Sequence, residues 1–282
     1  MSATSDLRPS PIAGRWYPGD PEELTSEIGT FLEQSKVAEL NGEVIGLVVP
    51  HAGHRYSGQT AAYAFRTIQG KHFDLVAILS PFHDFHPAEV LTSGHQAYAT
   101  PLGSIPVDRD AIEKFSQFLI EEGEPSPEEI VFDHEHSLEI ELPFLQIVLS
   151  GSFNLLPIMV RSRSAKITRA VGKALARVLQ NRSALIVASS DLSHFFPENK
   201  ANQLDNEMLQ QISSFSPEGV LQADTNGTAF ACGAGAIVAT FWAARELGAD
   251  QVKILHHSTS ADETGDHNSV VGYGAAVILK KS

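Results

Sequence analysis

Three short apolar runs, none broken by a charged residue after its first position, constrain this chain more than any other feature. They are EVIGLVVP over 43–50, LVAIL over 75–79 and ALIVA over 184–188. A strand with one face in water alternates apolar and polar residues, so a continuous apolar run must be covered on both sides. Helical patterns lie between the runs. Ala62, Phe65 and Ile68 recur at helical spacing within 58–68, as do Ile167, Val171, Leu175 and Val178 within 167–179. Asp108 reads as the N-cap of a helix through Ile112, Phe115 and Leu119. Further helices are expected over 202–212 and 233–247, with a broken or bent one over 137–149 near Pro143. FNLLPIMV over 153–160 is another strand, and its Pro157 argues for an edge position or a local irregularity. Two strands, 252–256 and 270–279, close the chain. This pattern predicts an α/β fold in a single domain, with a mostly buried central sheet flanked by helices on both faces.

Charge narrows the partners. The chain carries 20 Lys plus Arg against 34 Asp plus Glu, a net charge of −14. Its densest basic stretch, Arg161 to Lys166, is short, so no nucleic-acid partner is expected. Cys232 is the only cysteine, which excludes an intrachain disulfide and suits a reducing compartment. The uncharged stretch 227–244 is mostly Ala, Gly and Thr and runs straight into Arg245 and Glu246. It reads as a closely packed buried helix and not as a membrane span. With no targeting pattern at the N-terminus, a soluble cytoplasmic protein is expected.

The residues just past each apolar run carry the chemistry. The first run leads into Pro50-His51-Ala52-Gly53 and the second into Ser80-Pro81-Phe82-His83-Asp84. The third leads into Ser189-Ser190-Asp191-Leu192-Ser193-His194. Ligands of open α/β sheets bind outside the carboxyl ends of strands, so neighbouring runs would bring imidazoles and a carboxylate into one crevice. Asp191 and His194 suit general acid/base work, or the orientation of an imidazole by a carboxylate. No G-x-S-x-G elbow supports a serine hydrolase, and no Walker or G-x-G-x-x-G pattern supports nucleotide binding. In His134-Glu135-His136 the two histidines are two apart, which excludes the H-E-x-x-H zinc helix; a loop turning His136 toward the pocket is expected. Cys232 precedes a helix. It is either a small core hydrophobe or a thiol lowered in pKa by the helix N-terminus and able to bind metal. Trp16-Tyr17 either walls a cleft or plugs the core. His54 and His86 fall near the expected site, whereas His72, His95, His256 and His257 read as structural or surface residues.

These residues resemble a known family. Trp16-Tyr17, Pro50-His51-Ala52-Gly53 with Tyr56-Ser57-Gly58, Ser80-Pro81-x-His83, Glu135-His136-Ser137-x-Glu139, Ser189-Ser190-Asp191-x-x-His194 and Cys232-Gly233 occur in this order in the Memo family. Its bacterial and archaeal members are also called the AmmeMemoRadiSam system protein B group. The resemblance covers essentially the whole chain and implies one Memo-like domain over residues 1–282, similar in fold to the class III extradiol dioxygenases. Those enzymes hold Fe(II) with two His and a Glu. The resemblance implies His51, His83 and Cys232 as ligands of one transition-metal ion, copper or iron, with zinc also compatible. It implies His194 as acid/base; Asp191, by its place beside His194 in the sequence, is expected to share the catalytic work, and Trp16, His136 and Ser190 are expected to meet the substrate. Cys in place of Glu is a softer donor set than the two-His-one-carboxylate face. Three functions are implied: a metal-dependent redox or dioxygenase-like enzyme, a non-enzymatic module binding metal and (phospho)peptide, or a metal-assisted hydrolase. The partner would be a small molecule or a peptide.

Overall fold

The computed structural model describes residues 7–131 and 133–281. Four parallel strands form the middle of its main sheet, in the order Glu43–Val49, Ala184–Ser189, Leu75–Ser80 and Asn154–Val160. Val270–Lys280 runs antiparallel beside Glu43–Val49. It also pairs with Gln251–Thr259 and, near its start, with His194–Phe196. At the other side, Val90–Ser93 lies antiparallel to Asn154–Val160 and parallel to Glu128–Ile130. Leu75–Ser80 is buried at every position. Since successive side chains point to opposite faces, that strand is covered on both.

Two helical layers supply the cover. Ala234–Glu246 packs on the parallel strands and is backed by Ala165–Leu179, which in turn meets Arg109–Glu121. Gln59–Arg66 packs on Glu43–Val49 and Val270–Lys280 and is backed by Pro21–Gln34 and Leu142–Val148. The first layer is unusually close. A Cβ on Gly172 would lie 2.4 Å from Trp242 Cβ, so only glycine lets these two helix backbones approach so nearly. Of the stretch 227–244 read as a buried Ala-rich helix, 234–244 lie in Ala234–Glu246 and 227–233 are turn and loop before it; no helix among the described residues is long and apolar enough to cross a membrane.

The α/β class and the layering agree with the sequence pattern. Pro157 does not sit on an edge strand. Asn154–Val160 is interior, and the pairing with Val90–Ser93 runs only as far as Thr92↔Ile158, which leaves the missing Pro157 N–H outside the ladder. Thr92 Oγ1 instead donates to Pro157 O at 2.8 Å. The periodicity also gave no sign of a small sheet of Leu7–Arg8, Ala97–Thr100 and Gly103–Pro106. The helix Pro21–Gln34 was also not among the expected elements, although Asp20 accepts from the Glu22 and Glu23 N–H groups and Pro21 stands at the first helical position.

Candidate metal centre

Because Glu43–Val49, Ala184–Ser189 and Leu75–Ser80 are neighbours and parallel, their carboxyl ends open on one side of the sheet. There they meet a cleft of about 670 Å³ lined by Trp16, His51, His83, His136, Asp191 and His194, among others. His51 follows Pro50 at the end of its strand, and Asp191 Oδ1 fixes that turn by accepting from the His51 N–H at 2.7 Å. The ring is buried, with Nδ1 2.8 Å from Ser189 Oγ. His83 is held twice by Glu135, whose Oε2 accepts from the backbone N–H at 2.6 Å and whose Oε1 lies 2.9 Å from Nδ1. Glu135 Oε1 also accepts from the backbone N–H groups of His136 and Ser137. One carboxylate thus orients His83 and folds the loop that delivers His136.

The three imidazoles converge. The rings of His83 and His136 stack at 4.7 Å, and both meet His51 nearly edge-on, at 5.3 and 5.5 Å. Their ligand atoms lie within 4.8 Å of one another, and among the described residues they form the one such group able to hold a metal ion. With Nδ1 of His51 and of His83 already engaged, each presents Nε2, the arrangement typical of ligating histidines. The donor set therefore fits a transition metal.

Cys232 enters from the opposite element. Gly233, the N-cap of Ala234–Glu246, sits so near the strand end that a Cβ there would be 2.4 Å from Ser189 O. That closeness places Cys232 Sγ 3.1 Å from His51 Nε2 and 3.2 Å from the Asp191 N–H it accepts from. The helix N-terminus does not decide the state of this thiol. Burial and the Asp191 carboxylate push it well up, outweighing the hydrogen bonds that favour thiolate. Burial likewise keeps His51 well below its usual value, helped by His136 and His83, and pushes His136 down to about 4.

Two titratable groups, His194 and Asp191, stand on the cleft wall. Leu192 O can only accept, so at 2.9 Å it takes the Nδ1 proton of His194 and leaves Nε2 free; burial lowers this ring. Asp191 is lifted by burial to about 7, against the hydrogen bonds from His51 and Ala52. Asp191 does not orient His194. Its Oδ1 serves the His51 and Ala52 backbone instead.

A family model described as Memo-like protein matches residues 8–277. The chain belongs to the Memo family. A MEMO1 family protein of Nitrosopumilus maritimus is 33% identical over 276 residues, covering 95% of this chain and 98% of that one. Another, from Methanosarcina barkeri, is 32% identical over 274 residues, covering 96% and 100%. A solved structure of an uncharacterized Escherichia coli K12 protein is similar at a TM-score of 0.46 with 12% identity, covering 83% of this chain and all of that one.

In this Memo chain the aromatic pair near the N-terminus divides its work. Trp16 packs on His136 at 4.2 Å and lines the cleft, while Tyr17 is buried and donates to Glu139 Oε1 at 3.0 Å. Gly53 lets the Trp16 backbone come down on the His51 turn, where Trp16 O accepts from the His54 N–H at 2.8 Å. Ser190 is buried beside Cys232, its hydroxyl accepting from the Gly233 N–H, and it is not among the cleft's lining residues. Neither is His54, which is buried against Phe144 and bonded to Glu27. His256 and His257 bond Thr60 and Asp205. Sequence reasoning missed Glu135 as the organiser of the centre, although its position between two histidines was visible.

Proposed function

We propose that this Memo-family chain is a metal-dependent enzyme of redox, dioxygenase-like type. Its one transition-metal ion would be held by Nε2 of His51 and His83, with His136 and the Cys232 sulfur standing beside them as further donors. The observation that supports this reading is the prior engagement of both Nδ1 atoms, by Ser189 and Glu135, which aims two lone pairs into one space. Imidazoles suit copper, iron and zinc, and thiolate shifts the preference toward Cu(I) or zinc. Bound there, the ion would supply Lewis-acid or electron-transfer chemistry. His194 then acts as proton acceptor through its free Nε2, and Asp191 exchanges a proton near neutral pH. Trp16 walls the cleft over His136 and orients a small molecule or the side chain of a peptide.

Protein purified without added metal should carry close to one transition-metal ion per chain, and oxidant should change that ion's oxidation state. Elemental analysis with electron paramagnetic resonance reads both. A redox-inert ion together with metal-dependent ester or amide turnover would move the assignment to a hydrolase. Tight (phospho)peptide binding indifferent to chelation would move it to a binding module. A chain with no affinity for copper, iron or zinc would remove the reading altogether.

A further inference from the structure

Behind His51 lies a buried carboxyl group that the cleft never touches. Glu141 sits in the short 3-10 turn Glu139–Glu141 and is 1% exposed. Its Oε1 lies 2.9 Å from Ser189 Oγ, the same oxygen that stands 2.8 Å from His51 Nδ1 and 2.6 Å from Ser137 O. A serine hydroxyl has one proton and two lone pairs, and a backbone carbonyl can only accept. The Ser189 proton therefore goes to Ser137 O, the shortest of the three contacts. Ser189 Oγ must then accept from both remaining partners. Glu141 can donate only as a carboxylic acid, and His51 can donate only if its proton is on Nδ1. No other distribution of protons satisfies all three contacts.

We propose that Glu141 is a neutral carboxylic acid that acts with Ser189 to lock His51 in its Nδ1–H tautomer, presenting the Nε2 lone pair to the metal site. The role rests on the reading of His51 as a ligand, and Ser189 and Glu141 are positioning residues, since neither reaches the cleft. The burial of Glu141 supports it independently. Burial raises this carboxyl well above its usual range, although the Ser189 contact works the other way. A buried, unpaired carboxylate beside an apolar core would be costly, whereas a protonated acid with a hydroxyl partner is satisfied.

The test uses the full-length metal-free protein. Nitrogen-15 histidine spectra report the tautomer of His51, and infrared spectra report the C=O stretch of a protonated carboxyl group. The unsubstituted protein should show His51 with Nδ1–H and a protonated-acid band. Glu141→Gln should lose that band yet keep the tautomer, because the amide N–H can donate to Ser189 in the same way. Ser189→Ala should let the Nε2–H form become populated and weaken zinc or copper binding by about 10–100-fold, the usual effect of removing a ligand's hydrogen-bond partner. An Nε2–H tautomer in the unsubstituted protein would overturn the proposal, as would spectra recorded at pH 9, where Asp191 is ionised, in which Glu141→Gln loses no protonated-acid band. An unchanged tautomer in Ser189→Ala would do the same. If the tautomer is as stated and the unsubstituted protein binds no metal, the relay stands and the metal-enzyme reading falls.

Discussion

Glu135 and Asp191 are both buried carboxylates beside imidazole, yet they titrate in opposite directions. For Glu135 burial opposes ionisation, but the His83 hydrogen bond and charge, with the Ser137 N–H, overcome it and hold the group far below its usual range. Asp191 has backbone donors and the His83 charge to favour ionisation but no hydrogen bond to a cation, so burial wins and lifts it to about 7. His83 feels the reverse of Glu135: burial pulls it down, and the Glu135 hydrogen bond and charge raise it above 6.5. These directions set the sign of the linkage. The His83 contribution to stability is full below 6.5 and is lost as pH rises through the raised folded value. The Glu135 contribution is present above 4.5 and is lost as pH falls through its depressed one. In metal-free protein the pair therefore contributes most between these two limits. A double-mutant cycle with His83→Gln and Glu135→Gln should give a coupling of about 1 kcal/mol near pH 5.5, allowing for the exposure of His83, and less near pH 9. Coupling that grows with pH would contradict this assignment.

At the scale of elements, the centre depends on how tightly a helix start is pressed on a strand end. Gly233 has Ser189 O and Ser190 Cβ where a side chain would begin. Gly233→Ala should cost about 1–3 kcal/mol, the usual range for overpacking, seen as a lower denaturant midpoint. The same change should move Cys232 away from His51, so unaltered stability would show that the approach is looser than described. Strand-end histidines were legible in the sequence because a buried apolar run and the residue after it are contiguous. His136 was legible as a cleft residue but not as a partner of His51 and His83. Its direction is set by hydrogen bonds from a folded loop to Glu135, which no spacing encodes. The state of the Cys232 thiol was left open in the sequence for a related reason. The helix N-terminus is local in sequence, whereas the burial and the Asp191 charge that outweigh it come from packing.

For the whole molecule, the N-terminal strand ties the centre's loop to the core. Arg8 is 2% exposed; its guanidinium donates to Glu139 Oε2 at 2.6 Å, to Asp133 Oδ1 at 2.7 Å and to Glu135 O at 2.7 Å. Nothing in Leu7-Arg8 suggested a buried arginine, because its partners lie more than a hundred positions away. Removing one member of a buried ionic cluster strands the others, so Arg8→Met should destabilise the fold by about 3–5 kcal/mol in equilibrium unfolding. A loss within a few tenths would mean that the cluster is solvated. The central claim, that His51 and His83 hold one ion together, is tested most directly by metal stoichiometry in folded variants. His51→Ala and His83→Ala, each shown by circular dichroism to be folded, should lose most of the bound metal, while His194→Ala keeps it. Full occupancy in both His51→Ala and His83→Ala would contradict the account.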